Sequence, residues 1–233
     1  MPNLAQRILN FYKHFNIAIP LPKDIAVLDP FHHSPAAYKA TTLFFEKFYK
    51  DQQKRFMLIG INPGRLGSGF TGIPFTDSIR LRAHCKLPFE GPDQGETSSA
   101  FMYSVIEQMG GAKAFFADFY FSSVCPQGFI KRNAKGHWVN YNYYEDPQFL
   151  KRLYPSLVEA LQQQKAFGMH PTAVCIGQGK NFQILHKINQ EFKLFKQLIP
   201  MEHPRFIMQY KSAQKSAYIQ KYVETFQTLI HSV

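Results

Sequence analysis

Asn62 follows a short apolar run, Arg55–Ile61 (RFMLIGI), and heads a loop, NPGRLGSGFTGIPFT, with four glycines in fifteen residues. Glycine lets a backbone approach a ligand closely and present its N–H groups, so this loop is suited to contact. A neutral Asn amide can orient a water but cannot take its proton as a carboxylate would, which makes its help positional. Near the other end of the chain, His203 stands in MEHPRFIMQYK. A histidine N–H there can stabilise negative charge that exists only in a transition state. Phe75, late in the glycine loop, offers a flat apolar face to a planar ligand.

Two tempting sites carry less. Gly67–Gly72 (GSGFTG) matches GxGxxG and has Asp93 about twenty residues on, the spacing of a dinucleotide-binding loop. A true fingerprint starts its helix within the glycines, whereas this run leads into Ile73-Pro74, and the residue before proline avoids helical geometry. An NAD(P)-dependent oxidoreductase is therefore a distant rival. Cys85, Cys125 and Cys175 form no CxxC pair, and His32-His33 and His84-Cys85 are adjacent pairs without metal-ligand spacing. Neither a metal nor a cofactor is expected.

The chain has 233 residues with 27 Lys+Arg against 16 Asp+Glu, a formal charge of +11. That balance favours a polyanionic partner such as nucleic acid. No apolar run approaches the roughly 18 residues that span a bilayer, and MPNLAQRILNFYKHF lacks the apolar h-region of a signal peptide. A cytoplasmic, monomeric protein is expected. Arg80, Arg82, Lys131, Arg132, Lys135, Lys211 and Lys215 are the candidate phosphate-tracking cations, with Trp138 and Tyr141 as stacking surfaces. The segment Arg205-Phe206-Ile207-Met208-Gln209 mixes a cation with apolar wedges.

These residues must be held by alternating strands and helices. Apolar spacing predicts helices over 4–15, 36–50, 77–85 and 98–109, and strands over 55–61 and 115–122. GFIKRNAKGHWVNYNYY reads as a hairpin turning around Asn133–Gly136. Asp146-Pro147 starts a helix running to Phe167. A strand over 172–177, a helix over 180–189, a strand over 194–199, a loop and a final helix over 213–231 complete the chain. The pattern predicts a three-layer α/β sandwich, its mainly parallel four-stranded sheet flanked by helices, in one domain spanning 1–233. In such sheets ligands bind beyond the carboxyl ends of the strands.

Gly60-Ile61-Asn62-Pro63-Gly64 with Thr71-Gly72-Ile73-Pro74-Phe75 resembles motif 1 of the single-strand-selective monofunctional uracil-DNA glycosylases (SMUG) of the uracil-DNA glycosylase superfamily. Phe119–Pro126 (FYFSSVCP) is similar to that family's strand and loop, and His203-Pro204 to the opening of its motif 2. The blocks follow the family's order over roughly residues 55–210. Ser123 stands where the family usually has Asn, and Arg205-Phe206-Ile207-Met208 replaces its Ser-Pro-Arg continuation, as in a divergent bacterial-type subgroup.

The resemblance implies hydrolysis of the N-glycosidic bond of uracil in DNA, leaving an abasic site without strand cleavage. It makes Asn62 and His203 catalytic and Ile61, Gly64, Phe75 and Ser123 base-binding. Arg205, Phe206, Ile207, Met208 and Lys211, with Lys131 and Arg132, become DNA contacts near the nucleoid. A nucleic-acid-binding module that has lost catalysis is the alternative.

Overall fold

The computed structural model describes residues 2–232. The strands are β1 (Ile25–Leu28), β2 (Phe56–Gly60), β3 (Phe119–Ser123), β4 (Gly128–Arg132), β5 (Trp138–Tyr141), β6 (Thr172–Ile176) and β7 (Gln197–Met201). The helices are α1 (Leu4–His14), α2 (Pro30–His33), α3 (Pro35–Phe48), α4 (Ser68–Thr71), α5 (Ser78–Ala83) and α6 (Thr97–Gln108). They continue with α7 (Gly111–Asp118), α8 (Pro147–Lys165), α9 (Lys180–Phe192), α10 (Pro204–Tyr210) and α11 (Lys215–Ile230). Among the described residues the strands form two sheets, a parallel one in the order β3-β2-β6-β7 and an antiparallel one in the order β1-β4-β5.

Every residue of β2 is buried. A run so apolar suits a central strand covered on both faces, and β2 pairs with β3 on one side and β6 on the other. The two-residue period of β3 sorts its side chains between the flanking layers. Tyr120 and Ser122 donate to Gln164 of α8 at 3.2 and 2.6 Å. Phe119 and Phe121 turn the other way, with Phe119 4.9 Å from Phe226 of α11 and Phe121 5.5 Å from Phe115 of α7. Ser123 therefore falls on the Phe121 side.

Three sequence expectations are corrected. The run 115–122 is strand only from Phe119; its first part belongs to α7, which Gly110 and Gly111 launch from left-handed φ values of 89° and 84°. Ala112, Phe115 and Phe116 are buried at helical spacing, a pattern that an unbroken apolar run conceals. The last strand is Gln197–Met201 rather than 194–199, because Lys193 at φ 52° ends α9 and the next residues make the turn. Its Pro200 is tolerated because β7 is an edge strand. The segment after it is a short helix, α10, rather than a loop.

Gly128, at the start of β4, is where the small sheet meets the glycine loop. A Cβ there would lie 2.3 Å from the Pro63 carbonyl oxygen, a backbone atom that cannot swing aside. Gly128→Ala should therefore lower stability by about 2 kcal/mol or more, read as a fall in Tm; an unchanged melting curve would show that the contact relaxes freely.

Candidate active site

Beyond the carboxyl ends of β2, β3 and β7 opens a cavity of about 290 Å³. Asn62 and Phe75 from the two ends of the glycine loop, Ser123 from the end of β3 and His203 from the start of α10 all line it, as do Ile61 and Gly64. Its wall is formed mainly by neutral groups.

Asn62 lies two residues past β2, and its amide is held by the segment leaving β5. Nδ2 donates to the Tyr141 carbonyl at 3.3 Å and Oδ1 accepts from the Tyr143 N–H at 3.3 Å. Exchanging the two amide atoms would set donor against donor and acceptor against acceptor, so the backbone fixes which one is oxygen. That oxygen keeps a second lone pair.

Phe75 adopts φ 53°, a left-handed conformation costly for an aromatic residue. A Cβ on Gly60 would come within 2.8 Å of its ring, so only glycine at the end of β2 lets the ring sit there. Its centroid is 5.1 Å from that of Phe121 and 6.1 Å from that of His203. Ser123, in register with Gly60, is buried at the cavity wall, while neighbouring Ser122 is engaged by Gln164.

His203 caps α10, its Nδ1 accepting from the Arg205 N–H at 3.1 Å. An N–H directed at Nδ1 requires a lone pair there, which puts the proton of the neutral ring on Nε2. Burial, with the nearby Arg205 cation, pushes the pKa of His203 down to about 4. The site therefore holds a neutral imidazole with one N–H donor at neutral pH.

The candidate DNA contacts divide. Arg205 lines the cavity mouth, Phe206 is 43% exposed, Met208 is partly buried, and Lys211 is exposed. Ile207 is fully buried in the core and is corrected from wedge to anchor: its position on α10 points it inward. Tyr141 is likewise buried and presents no stacking surface, because it packs against Phe149. Lys131 is 3.5 Å from Asp24 and lies over the Tyr141 ring, and the Arg132 guanidinium covers Trp138 at 4.5 Å. Neither lines the cavity. Arg80 is paired with Asp77 and Arg82 with Asp93, so the acid of the GxGxxG spacing is already engaged. The glycine run itself forms only α4, one turn closed by Gly72 at φ 79°.

Glu96, Asn140 and Asn142 also line the cavity and were not singled out from sequence. Glu96 caps α6, Oε2 accepting from the Ser99 N–H at 2.8 Å, and its own N–H donates to fully buried Asp77. Its place just before a helical pattern was the available signal, though Glu is an uncommon cap. Asn140 Oδ1 accepts from the Arg65 N–H at 2.9 Å and steadies the glycine loop; nothing in the local sequence distinguishes it from other hairpin residues.

A family model for the uracil DNA glycosylase superfamily matches residues 46–227. The chain belongs to that superfamily and is a DNA glycosylase. Within it the chain is of the SMUG type: it is 41% identical to Pedobacter heparinus SMUG2, whose crystal structure it matches with a TM-score of 0.95 over 99% of this chain and 100% of that one. A search of curated proteins found no match.

The depressed pKa of His203 sets a pH signature. Between about 4 and the ordinary value of 6.5 the unfolded chain takes up a proton that the folded ring refuses, so this group lowers stability as pH falls through that window. A ¹⁵N NMR titration should show His203 neutral, with hydrogen on Nε2, down to about pH 4; a midpoint near 6.5 would contradict the burial.

Proposed function

We propose that this DNA glycosylase is a monofunctional uracil-DNA glycosylase, acting as a single-domain monomer on a nucleotide flipped out of DNA. The observation that carries this reading is the meeting of Asn62, Phe75, Ser123 and His203 around one cavity, in a chain that belongs to the superfamily. Extrusion costs a few kcal/mol, least from single strands, and the pocket then reads the base edge.

In this reading the base stacks on Phe75. As the C1′–N1 bond breaks, its electron pair passes to the base and positive charge develops on the sugar. His203 donates its Nε2–H to O2, meeting charge absent from the ground state. A neutral donor suits this role, since it stabilises the anion without protonating it. A water donates one hydrogen to the free lone pair of Asn62 Oδ1 and turns its oxygen towards C1′. Asn62 takes no proton, so the water must bond late, after the sugar has become strongly electrophilic, and the proton it sheds on bonding goes through solvent to the departed base anion.

Incubation with uracil-containing single- and double-stranded DNA, followed by alkali, tests the reading through strand breaks at abasic sites. Release should persist in EDTA. Asn62→Ala and His203→Ala should each lower turnover by about a hundredfold or more while DNA binding persists, because their interactions belong mainly to the transition state. Absence of release by the wild-type protein on both substrates, with DNA binding intact, would favour the inactive binding module instead.

Ser123 bears on base choice. Uracil presents an N3–H donor and an O4 acceptor, which a side-chain amide can match together; cytosine reverses the pattern and would leave buried groups unpaired, at about 1–3 kcal/mol each. A serine hydroxyl rotates and serves as donor or acceptor, so it discriminates less and leaves more room. Other deaminated bases, xanthine and hypoxanthine among them, should be released as well. Ser123→Asn should raise the ratio of uracil to deaminated-purine release; an unchanged ratio would remove Ser123 as the reader.

A further inference from the structure

The groups that hold Asn62 are themselves held by a buried side-chain link. Tyr143 and Asn181 are 0% and 1% exposed. The Tyr143 hydroxyl donates to Asn181 Oδ1 at 2.8 Å. Asn181, in the first turn of α9, donates through Nδ2 to the Gly60 carbonyl at 3.3 Å and contacts the Cys175 sulfur at 3.4 Å. One amide thus joins the ends of β2 and β6 to the segment leaving β5. Besides the adjacent Pro63 carbonyl, which moves with Asn62 itself, that segment supplies the backbone groups that fix the Asn62 amide, the Tyr141 carbonyl and the Tyr143 N–H.

From this geometry we infer that Tyr143 and Asn181 are positioning residues for Asn62, an inference that rests on the proposed role of Asn62 in directing water. The contacts of the Asn62 amide with this segment, like that with its neighbour Pro63, are 3.3 Å, long for hydrogen bonds. Such contacts keep an orientation only while the backbone carrying them stays fixed. Backbone pairing in β5 ends at Tyr141. Beyond it, the Asn142 N–H donates to Glu145 within the same loop, which ties the loop to itself and not to β2. The Tyr143 side chain is the tie that crosses to the sheet, and through Asn181 it reaches Gly60, two residues from Asn62. The water's approach to C1′ therefore depends on a hydroxyl that touches neither substrate nor water. Tyr143 is a donor here, and burial holds its pKa well above the ordinary value, so the link persists across the working pH range.

Tyr143→Phe keeps the ring and removes only the hydroxyl. Under single-turnover conditions with uracil-containing DNA it should lower the rate of base release by about tenfold, with DNA affinity within twofold of wild type. The same substitution made on Asn62→Ala should have no further effect on rate, because there is no amide left to position; residues acting through one another fail to add in this way. Equal losses in both backgrounds would show a general structural role, and no loss on the wild-type background would remove the role altogether. Should Tyr143→Phe fail to fold, Asn181→Ala replaces it with the same two expectations. A second readout needs no turnover: the Asn62 side-chain amide protons should give a sharp, slowly exchanging NMR pair in the wild type that broadens in Tyr143→Phe. If the wild type released no uracil, the proposed function would fail while this pair still decided the link; an unchanged pair would overturn the link alone.

Discussion

The last residue of β2, Gly60, is the point to which the site is tied. Its missing side chain is the space occupied by the edge of the Phe75 ring. Its carbonyl accepts from the Val124 N–H at 3.0 Å as well as from Asn181, which fixes the exit from β3 and the start of α9 to the same atom. Ser123 is its partner in the β2–β3 register. A Cβ at 60 would displace the Phe75 ring, while the carbonyl would still hold the other two segments. β2 can carry this role because it is central and wholly buried, so its end is the least mobile place from which to suspend loops.

The cavity is built of neutral polar groups within a chain of net charge +11. Asn62, Ser123 and an imidazole whose pKa lies at about 4 carry no charge at neutral pH. This fits a reaction whose charge develops only during bond breaking: a fixed charge in a shielded site is costly to bury, while oriented dipoles act without reorganisation when the charge appears. Glu96 and Arg205 are the exceptions; the Glu96 carboxylate is bound to the N-terminus of α6, where the helix dipole stabilises it.

How much of this was legible in the sequence depended on whether each signal was local. The strand feeding Asn62, the cap at Asp146 and the turn near Gly136 are written in neighbouring residues, and all three lie where the sequence places them. The resemblance marked Asn62, Phe75, Ser123 and His203, and the fold brings them to one cavity. What the sequence concealed were the quantities that depend on facing. Ile207 and Phe206 are adjacent and equally apolar, yet one is fully buried and the other 43% exposed, because consecutive residues on α10 point apart. Lys131 and Arg132 read as free cations until Asp24 and Trp138, distant or across the hairpin, are seen beside them. Tyr143 and Asn181 have no local signature, since their importance comes from one hydrogen bond between residues 38 apart.

The β1-β4-β5 sheet then takes on a different part from the one its basic residues suggested. Lys131 and Arg132 lie over aromatic rings of their own hairpin, and β5 delivers the Tyr141 carbonyl to Asn62 and the Asn140 side chain to the glycine loop. The small sheet is a brace for motif 1. On the proposed function, the phosphate contacts then fall to cations without such internal partners. Among the described residues Arg65, Arg205 and Lys211 are exposed and make no ion pair. Arg205 and Lys211 lie on or next to α10, whose Phe206 and Tyr210 rings lie 5.5 Å apart, tilted at 44°, and are 43% and 65% exposed. The helix that His203 caps thus carries cations and exposed aromatic rings together, a combination suited to holding a strand by its phosphates while its bases stack. On the proposed function, a DNA strand crossing α10 and the Arg65 loop would pass beside the cavity, which Arg205 and the neighbours of Arg65, Gly64 and Leu66, line.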